Sequence, residues 1–445
     1  VPATLFTTNI DTAPVNITVI SAEDIANSSA QNLADVLKTQ AGLQVTDLFG
    51  ISGSKAKVDM GGFGQAGGQN TLILLNGRRL NDVDLQGTNF AAIPLASISQ
   101  IEIVHGSSTV LYGDNAVSGV INIVTKNGFD GETMGASQTT GSFLTQRLSA
   151  NVSLARDNNA YSLAVDKMKS NGYRDNSGFN TTSIAGEYSR GQSNWNIGTR
   201  LNASTEKLEL PGALNEPLFN DNARQSTASI EQAEERRYTV EGFVLSDNFS
   251  AELAVRDKHQ EASIFGDTEA DLRTASWTPR MNLQFGTHTL IAVIDTYLST
   301  LDTQAIFGGM FPAENASDTK RTSVAGYVTG NIALGKTSTL NLGLRQQKID
   351  LDIENTNLLS SAVTTDDDSD TLTAWDISLS HDHKYGARNY VRIAKSFRSP
   401  VLDEMWNYYS GSIALLKPQT GRHIEIGTRH RLNNGLLYSV DLFRI

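Results

Sequence analysis

Beyond about residue 130 the chain settles into a two-residue rhythm. In Trp195-Asn196-Ile197-Gly198-Thr199-Arg200-Leu201 the apolar side chains take every second position, and the others are small, polar or charged. Leu340-Asn341-Leu342-Gly343-Leu344-Arg345, Trp375-Asp376-Ile377-Ser378-Leu379 and Tyr438-Ser439-Val440-Asp441-Leu442 repeat it. A helix would carry apolar residues at i, i+3 and i+4, which these segments lack, so each reads as a strand with one apolar and one polar face. About 15 such runs follow one another, and their connections alternate in length. Short turns lie near Arg190-Gly191-Gln192-Ser193, Asp247-Asn248, Gly286-Thr287, Gly335-Lys336 and Asn433-Asn434-Gly435; long connections lie near 169–178, 204–232, 302–319, 353–371 and 397–417. Short turns at one end and long loops at the other are the signature of an antiparallel membrane β-barrel.

The first 130 or so residues have a different texture. Val15 to Ile20 alternates as a strand, and Ser21-Ala22-Glu23-Asp24 offers a helix start with an acidic residue three after the serine. A second helix follows Ser28-Ser29, with Leu33, Val36 and Leu37 on one face and Gly42 as its stop. A glycine-rich stretch, Gly61 to Gly68, leads into the strand Thr71 to Leu75 and the turn Asn76-Gly77. In Ile101 to Lys126, the runs Ile101-Glu102-Ile103-Val104 and Val120-Ile121-Asn122-Ile123-Val124 flank a middle rich in Gly, Ser, Asn and Asp. Strand, turns, strand is the natural reading, and the whole makes an α/β unit.

Composition narrows this picture without completing it. A chain of 445 residues exceeds one ordinary domain. No stretch approaches the roughly 18 consecutive apolar residues of a membrane-spanning helix. The mean hydropathy of -0.26 does not exclude a barrel, whose strands average out as polar. The absence of cysteine removes thiolate metal sites, disulfides and cysteine nucleophiles. A net charge of -12 opposes nucleic-acid binding, which needs a basic face. The start, VPATLFTTNI, has neither a basic nor an apolar leader region, so a secretory signal is expected to have been removed already.

The order and spacing of Glu102, Gly106, Leu111, Tyr112, Gly113, Ala116, Gly119, Val120, Ile121, Asn122, Ile123, Thr125 and Lys126 resemble the end of the plug domain in TonB-dependent outer-membrane receptors. Asn171-Gly172-Tyr173-Arg174-Asp175-Asn176-Ser177 and Leu210-Pro211-Gly212-Ala213-Leu214 look like early extracellular-loop motifs of that family. Lys395-Ser396-Phe397-Arg398-Ser399-Pro400 and Leu416-Lys417-Pro418-Gln419, followed by Glu425-Ile426-Gly427, look like two of its barrel signatures. The resemblance implies an antiparallel membrane β-barrel with an N-terminal α/β plug inside the lumen. Residues 1–10 would be a TonB box and linker, 11–128 the plug and 129–445 the barrel. Such barrels are expected to have about 22 strands. Since an open sheet would leave unpaired edges in hydrocarbon, a further seven strands, on the order of 150 residues, are expected from a longer chain or a second polypeptide.

The same resemblance implies a set of working residues. Thr4, Leu5, Phe6, Thr7 and Thr8 are the candidate TonB box, an extended segment that would pair edge to edge with TonB and so reach its inner-membrane motor. The plainer reading of that segment is a frayed terminus. Where the family usually has Arg-Gly, this chain has Met60-Gly61-Gly62, so Arg78 and Arg79 would take over the pairing of plug arginines with barrel carboxylates, their plainer reading being two solvated turn charges. Alternation along its strand puts Glu425 in the lumen as a plug partner. The plug apex is expected at 63–69 and 82–89, with Phe63, Gln65, Gln69 and Asp84 as substrate contacts. Trp406, Tyr408 and Tyr409, in an expected extracellular loop, would add flat aromatic faces for a substrate or a lid, or pack against a neighbouring loop or seat in the membrane girdle.

No catalytic constellation and no resident cofactor or metal site emerges. His381 and His383 lack a third ligand in the local sequence, and Gly61 to Gly68 lacks the lysine and serine of a phosphate-cradling loop. Asp366-Asp367-Asp368-Ser369-Asp370 reads as a solvated loop or a place to bridge lipopolysaccharide through divalent cations. What the resemblance implies is active uptake of a scarce metal chelate across the bacterial outer membrane, a ferric siderophore first and cobalamin second. Haem ranks lower, because Ser399 stands in place of the alanine of the haem-receptor motif and residues 401 to 422 contain no histidine. A receptor that docks an envelope partner without transporting anything is the reading from another class.

Overall fold

The computed structural model describes residues 16–47, 53–228, 230–264, 266–383, 386–431 and 437–445. The candidate TonB box, Thr4 to Thr8, and the turn at Asn433-Asn434-Gly435 lie outside the described residues.

Up to residue 125 the strands are short and helical turns separate them. They are β1 (Ile17–Ser21), β2 (Leu43–Thr46), β3 (Lys57–Met60), β4 (Thr71–Leu75), β5 (Arg78–Arg79), β6 (Ile98–His105) and β7 (Gly119–Thr125). Ser21 caps α1 (Ala22–Asn27): its Oγ accepts from the Asp24 N–H at 3.1 Å, and the Asp24 carboxylate accepts from the Ser21 N–H at 2.9 Å. Asn32 Oδ1 caps α2 (Leu33–Lys38) by accepting from the Asp35 N–H at 2.9 Å. The glycine-rich stretch closes into α3 (Gly67–Asn70). The turns expected between β6 and β7 include one helical turn, α4 (Thr109–Tyr112).

Five of the strands form a sheet in the order β1-β6-β7-β4-β5, with β4 and β7 parallel. Every residue of β4 is buried, as both faces of this sheet are covered. Ile73, Leu75, Ile101 and Ile121 pack on Leu33, Val36 and Leu37 of α2. Leu72, Leu74, Val104 and Val120 pack on Ala116 and Tyr112 from the other side. Asn76 and Gly77 have φ of 54° and 85°, the paired left-handed backbone that a tight two-residue hairpin needs.

The wall follows as β8 (Thr133–Gly141), β9 (Thr145–Arg156), β10 (Asn159–Ser170), β11 (Phe179–Gln192) and β12 (Trp195–Glu209). After α5 (Glu216–Asp221) come β13 (Gln232–Leu245), β14 (Phe249–Ser263), β15 (Asp267–Phe285), β16 (His288–Phe307) and β17 (Ala313–Leu334). It continues with β18 (Ser338–Asn357), β19 (Ala362–Asp382) and β20 (Ala387–Arg398), then α6 (Leu402–Met405), β21 (Gln419–Arg431) and β22 (Leu437–Arg444). All 15 strands pair antiparallel with their sequence neighbours, and β8 and β22 are the two edges. The wall wraps the plug. Arg147 of β9 donates to the Gln31 carbonyl, and on the far side Asn16 donates to Asp441 of β22 at 2.9 Å.

Outward positions such as Ile197, Leu201, Val240, Val255, Ile294 and Leu298 are exposed and make an apolar belt. Tyr161 and Tyr188 (5.2 Å between rings) and Trp195 and Phe249 (6.3 Å) border it near the short turns, as an interfacial girdle does.

Two expected long loops prove to be strand. Only 308–312 separates β16 from β17, and only 358–361 separates β18 from β19. The acidic run Asp366 to Asp370 lies within β19, where Asp366 faces Ile353 and Ser369 faces Asp350 across the ladder. The reason is visible along β16. Its outward residues run Leu290, Ala292, Ile294, Thr296, Leu298 and then Thr300, Asp302 and Gln304. Above the apolar belt the outward positions turn polar, so the hydropathy alternation fades while the backbone ladder continues.

Gly119 opens β7 where neighbouring segments come close. A Cβ there would lie 2.2 Å from Met60 Sδ and 2.4 Å from the Val104 carbonyl. Gly119→Ala is expected to destabilise the plug by about 1–3 kcal/mol through overpacking, seen as faster proteolysis of the plug with the melting transition of the wall unchanged.

Candidate functional site: the charged seat between plug and wall

Alternation within a strand decides what faces the lumen. On β13, Glu235, Arg237, Thr239 and Glu241 share the inward face, and on β14 so do Arg256 and Lys258; all six are buried. The segment after β5 brings Asp82 and Asp84 against them. Lys258 has no side-chain exposure, and its Nζ lies 2.9 Å from Asp82 and 3.1 Å from Asp84. Arg256 and Arg237 reach Asp82 at 2.6 and 3.1 Å. Burial opposes ionisation of Asp82, but Arg256, Lys258 and Arg237 outweigh it and hold its carboxyl well below the usual carboxylate range. Lys55 of the plug pairs with Glu235, which also accepts from Asn89 Nδ2 at 3.2 Å. Asp114 pairs with Arg321 at 2.6 Å and accepts from the Ser399 N–H at 3.1 Å.

The residues singled out in the sequence fall unevenly on this seat. Arg78 Nε lies 3.4 Å from Glu241 of the wall, which also holds Arg200. Arg79 donates instead within the plug, to Asn115 Oδ1 at 2.8 Å and to the Tyr112 and Asp114 carbonyls at 3.0 and 2.7 Å. Its approach to the wall is to the ring of Tyr297, 5.6 Å away. β5 aims Arg79 at the α4 loop, so the expected wall carboxylate is replaced by carbonyls. Glu425 is buried on the lumen face as alternation requires, yet it accepts from Tyr390 Oη at 2.6 Å and lies 3.7 Å from Arg392, both wall residues. The plug meets it through Gly106, where a Cβ would stand 3.0 Å from Glu425 Oε2. That contact is backbone against carboxylate and not an ion pair.

The expected substrate contacts divide in the same way. Gln65 is exposed and Phe63 half-buried on a glycine-rich turn whose Phe63 and Gly64 N–H groups donate to Asp59 at 3.0 and 2.7 Å. Gln69 is buried against Asn115, and Asp84 is engaged by Lys258. Tyr409 is 49% exposed and donates to the Phe311 carbonyl at 2.8 Å. Of the readings open for Trp406, packing is the one the structure shows: it is 2% exposed, its Nε1 donates to Asn355 at 2.9 Å and its ring packs among Leu272, Leu301 and Leu402. Tyr408 donates to Asp403. The cause is that residues 399–418 fold down into the lumen. The Leu402 N–H donates to the Val83 carbonyl and the Leu85 N–H to Asp403, each at 2.9 Å, which docks α6 on the plug.

The charged seat went unread in the sequence although its signal was present. The inward parity that picked out Glu425 applies equally to Glu235, Arg237, Glu241, Arg256 and Lys258. On the outer side of the wall, His259, Glu269 and Asp271 bring possible ligand atoms within 4.8 Å of one another, but both ring nitrogens of His259 already face Asp271 and Glu261, at 2.8 and 3.0 Å.

Family models agree with this architecture. Residues 9–120 match the TonB-dependent receptor plug domain, and residues 107–445 match the TonB dependent receptor-like β-barrel. The chain belongs to the TonB-dependent receptor family. It is similar to the vitamin B12 transporter BtuB of Vibrio vulnificus, at 23% identity over 94% of this chain and 65% of that protein. It is also similar to an iron-regulated outer membrane virulence protein of Vibrio cholerae, at 34% identity over 26% of this chain and 18% of that one. The chain thus spans 65% or less of the length of these curated relatives. Its fold matches the ferric yersiniabactin uptake receptor FyuA of Yersinia pestis, with a TM-score of 0.79, 15% identity and coverage of 97% of this chain and 72% of that one. The ferric citrate transporter FecA in its unliganded form matches equally, with a TM-score of 0.79, 16% identity and coverage of 98% and 70%.

In this receptor the Asp82 cluster generates a prediction with a definite sign. Asp82→Asn leaves Arg256, Arg237 and Lys258 short of a buried counter-charge, and removing one partner of a buried pair costs about 3–5 kcal/mol. With Ala116→Cys as a single thiol reporter in the cysteine-free chain, labelling is expected at lower urea than in the parent. Because the native carboxyl is held below its unfolded value of about 3.9, its contribution is present in full above that pH. It fades only as the pH falls from there through the depressed native value. Plug seating in the parent is therefore expected to be unchanged between pH 7 and 5, while the variant is weakened throughout.

Proposed function

We propose that this receptor sits in the bacterial outer membrane and takes up a scarce metal chelate, a ferric siderophore, under the pull of TonB. The observation that carries the reading is the contact between α6, in the connection after β20, and the plug at Val83 and Leu85. A cargo that shifts this connection would act directly on the plug backbone beside Asp84. Phe63, Gln65 and Tyr409 are accessible for first contact, whereas Gln69, Asp84, Trp406 and Tyr408 would meet cargo only after the connection lifts. Thr4 to Thr8 would serve as the TonB box, and lipid and lipopolysaccharide would surround the apolar belt. Seating by ion pairs suits a domain that has to move, since buried pairs give a specific position at little net stability.

Cobalamin is the second reading, favoured by the resemblance to BtuB along 94% of the chain. Deleting residues 3–8 is expected to reduce cellular accumulation of radiolabelled ferric siderophore to background while surface binding persists. The same assay with labelled cobalamin decides between the cargoes. Undiminished accumulation of both in the deletion strain would overturn TonB-coupled uptake and favour a docking receptor.

A further inference from the structure

Between β5 of the plug and wall strands β14 to β18 lies a cavity of about 60 Å³. Arg78 and Arg79 border it from the plug, and Arg256, Arg321 and Arg345 from the wall. Two carboxylates, Asp82 and Asp114, also line it, and both are engaged. Asp82 is shared with Arg237 and Lys258, which lie outside the cavity, and Asp114 pairs with Arg321. Behind the lining, Arg345 leans on Asp295 at 2.8 Å, while Arg78 shares Glu241 with Arg200. Among the described residues no carboxylate oxygen lies within 4.0 Å of the Arg79 guanidinium. The balance of charge around the space is therefore positive.

Hydrogen bonding points the same way. Arg256 Nε is buried and has no acceptor, and Arg78 Nε has only the long 3.4 Å approach to Glu241. An orphaned donor on a buried cation costs free energy that an anionic acceptor would relieve. Burial pushes the pKa of Arg78 and of Arg79 down, and Glu241 and Asp114 offset it only in part. Thr274 of β15 and Ser299 of β16 add hydroxyl groups to the lining. At roughly 10–15 Å³ of such volume per water, the space holds a group the size of a few waters. A whole chelate is too large for it.

We propose that this cavity is a binding site for a small oxyanion, a carboxylate or a phosphate group, held by guanidinium and hydroxyl donors of both plug and wall. The oxyanion accepts from Arg256 Nε, which no protein group satisfies, and it bridges the arginines of the two bodies. The five strands lie in the middle of the wall sheet, away from the edges at β8 and β22. Binding is measured on purified protein, so its outcome is separate from that of the uptake assay.

The test is thermal melting of the full-length protein in neutral detergent, titrated with sodium phosphate and with sodium citrate against sodium chloride at matched ionic strength. A saturable rise in melting temperature beyond the chloride control is expected, and it is lost in Arg79→Gln. Because Arg79 also braces residues 112–115, Ser276→Leu is run beside it. That variant fills the cavity with every charge in place, and is expected to melt like the parent in chloride while losing the oxyanion response. A response to phosphate alone assigns the site to inorganic phosphate, and a response to citrate extends it to the carboxylates of a cargo. No response beyond chloride in the parent, or a response that survives Ser276→Leu, overturns the proposal.

Discussion

A lysine with no exposed side-chain surface, Lys258, rests between two aspartates of another domain, and the position of the plug follows from that neutralisation. A barrel whose outside is apolar has a polar inside, and here the lumen of β13 and β14 is crowded with charge. Neither surface is tolerable dry on its own. Together, Asp82 and Asp84 meet Lys258, Arg256 and Arg237, Lys55 meets Glu235, and Asp114 meets Arg321. The cost of leaving any one of these charges unpaired specifies the register of plug against wall far more sharply than apolar contact would. The net stability of such pairs after desolvation is small, which is compatible with a seat that is exact in geometry and still releasable.

The same seat is tied to the outer end of the molecule. Asp403 accepts from Tyr408 and from the Leu85 N–H, one residue from Asp84. Ser399, where that connection leaves the wall, donates to Asp114, which holds Arg321. The connection after β20 therefore touches the charged seat at two separated points through backbone groups that have no other partner in a ladder. Moving α6 would leave the Leu85 N–H without its acceptor, so the two bodies are coupled by hydrogen-bond satisfaction as well as by shape.

Much of this architecture was legible in the chain. The two-residue rhythm revealed the wall strands, and Ser21 with Asp24 marked a helix start before any fold was known. Tight turns were readable where Gly or Asn-Gly permits left-handed backbone, as at Asn76-Gly77. The upper strands were not legible, because around Asp302 the outward positions turn polar, around Asp366 both faces are exposed, and the apolar alternation that betrays a strand disappears. The inward course of the chain around Trp406 was hidden for a related reason. A polar, irregular connection of some twenty residues reads as a surface loop, and nothing local shows that it turns inward to fill the mouth of the barrel.

Sequence by itself determined what depends on neighbours a few residues apart: strand period, caps, turns, and which side chains of a strand share a face. The motif from Ile101 to Lys126 added the family. Only the tertiary structure decided which charges meet, that Arg78 finds Glu241 while Arg79 turns back into the plug, and that Glu425 faces a glycine. A lumen partner is set by how far each strand slides past the next and by the rotation of the plug inside the wall. Those quantities accumulate over the whole sheet, and no local stretch of residues records them.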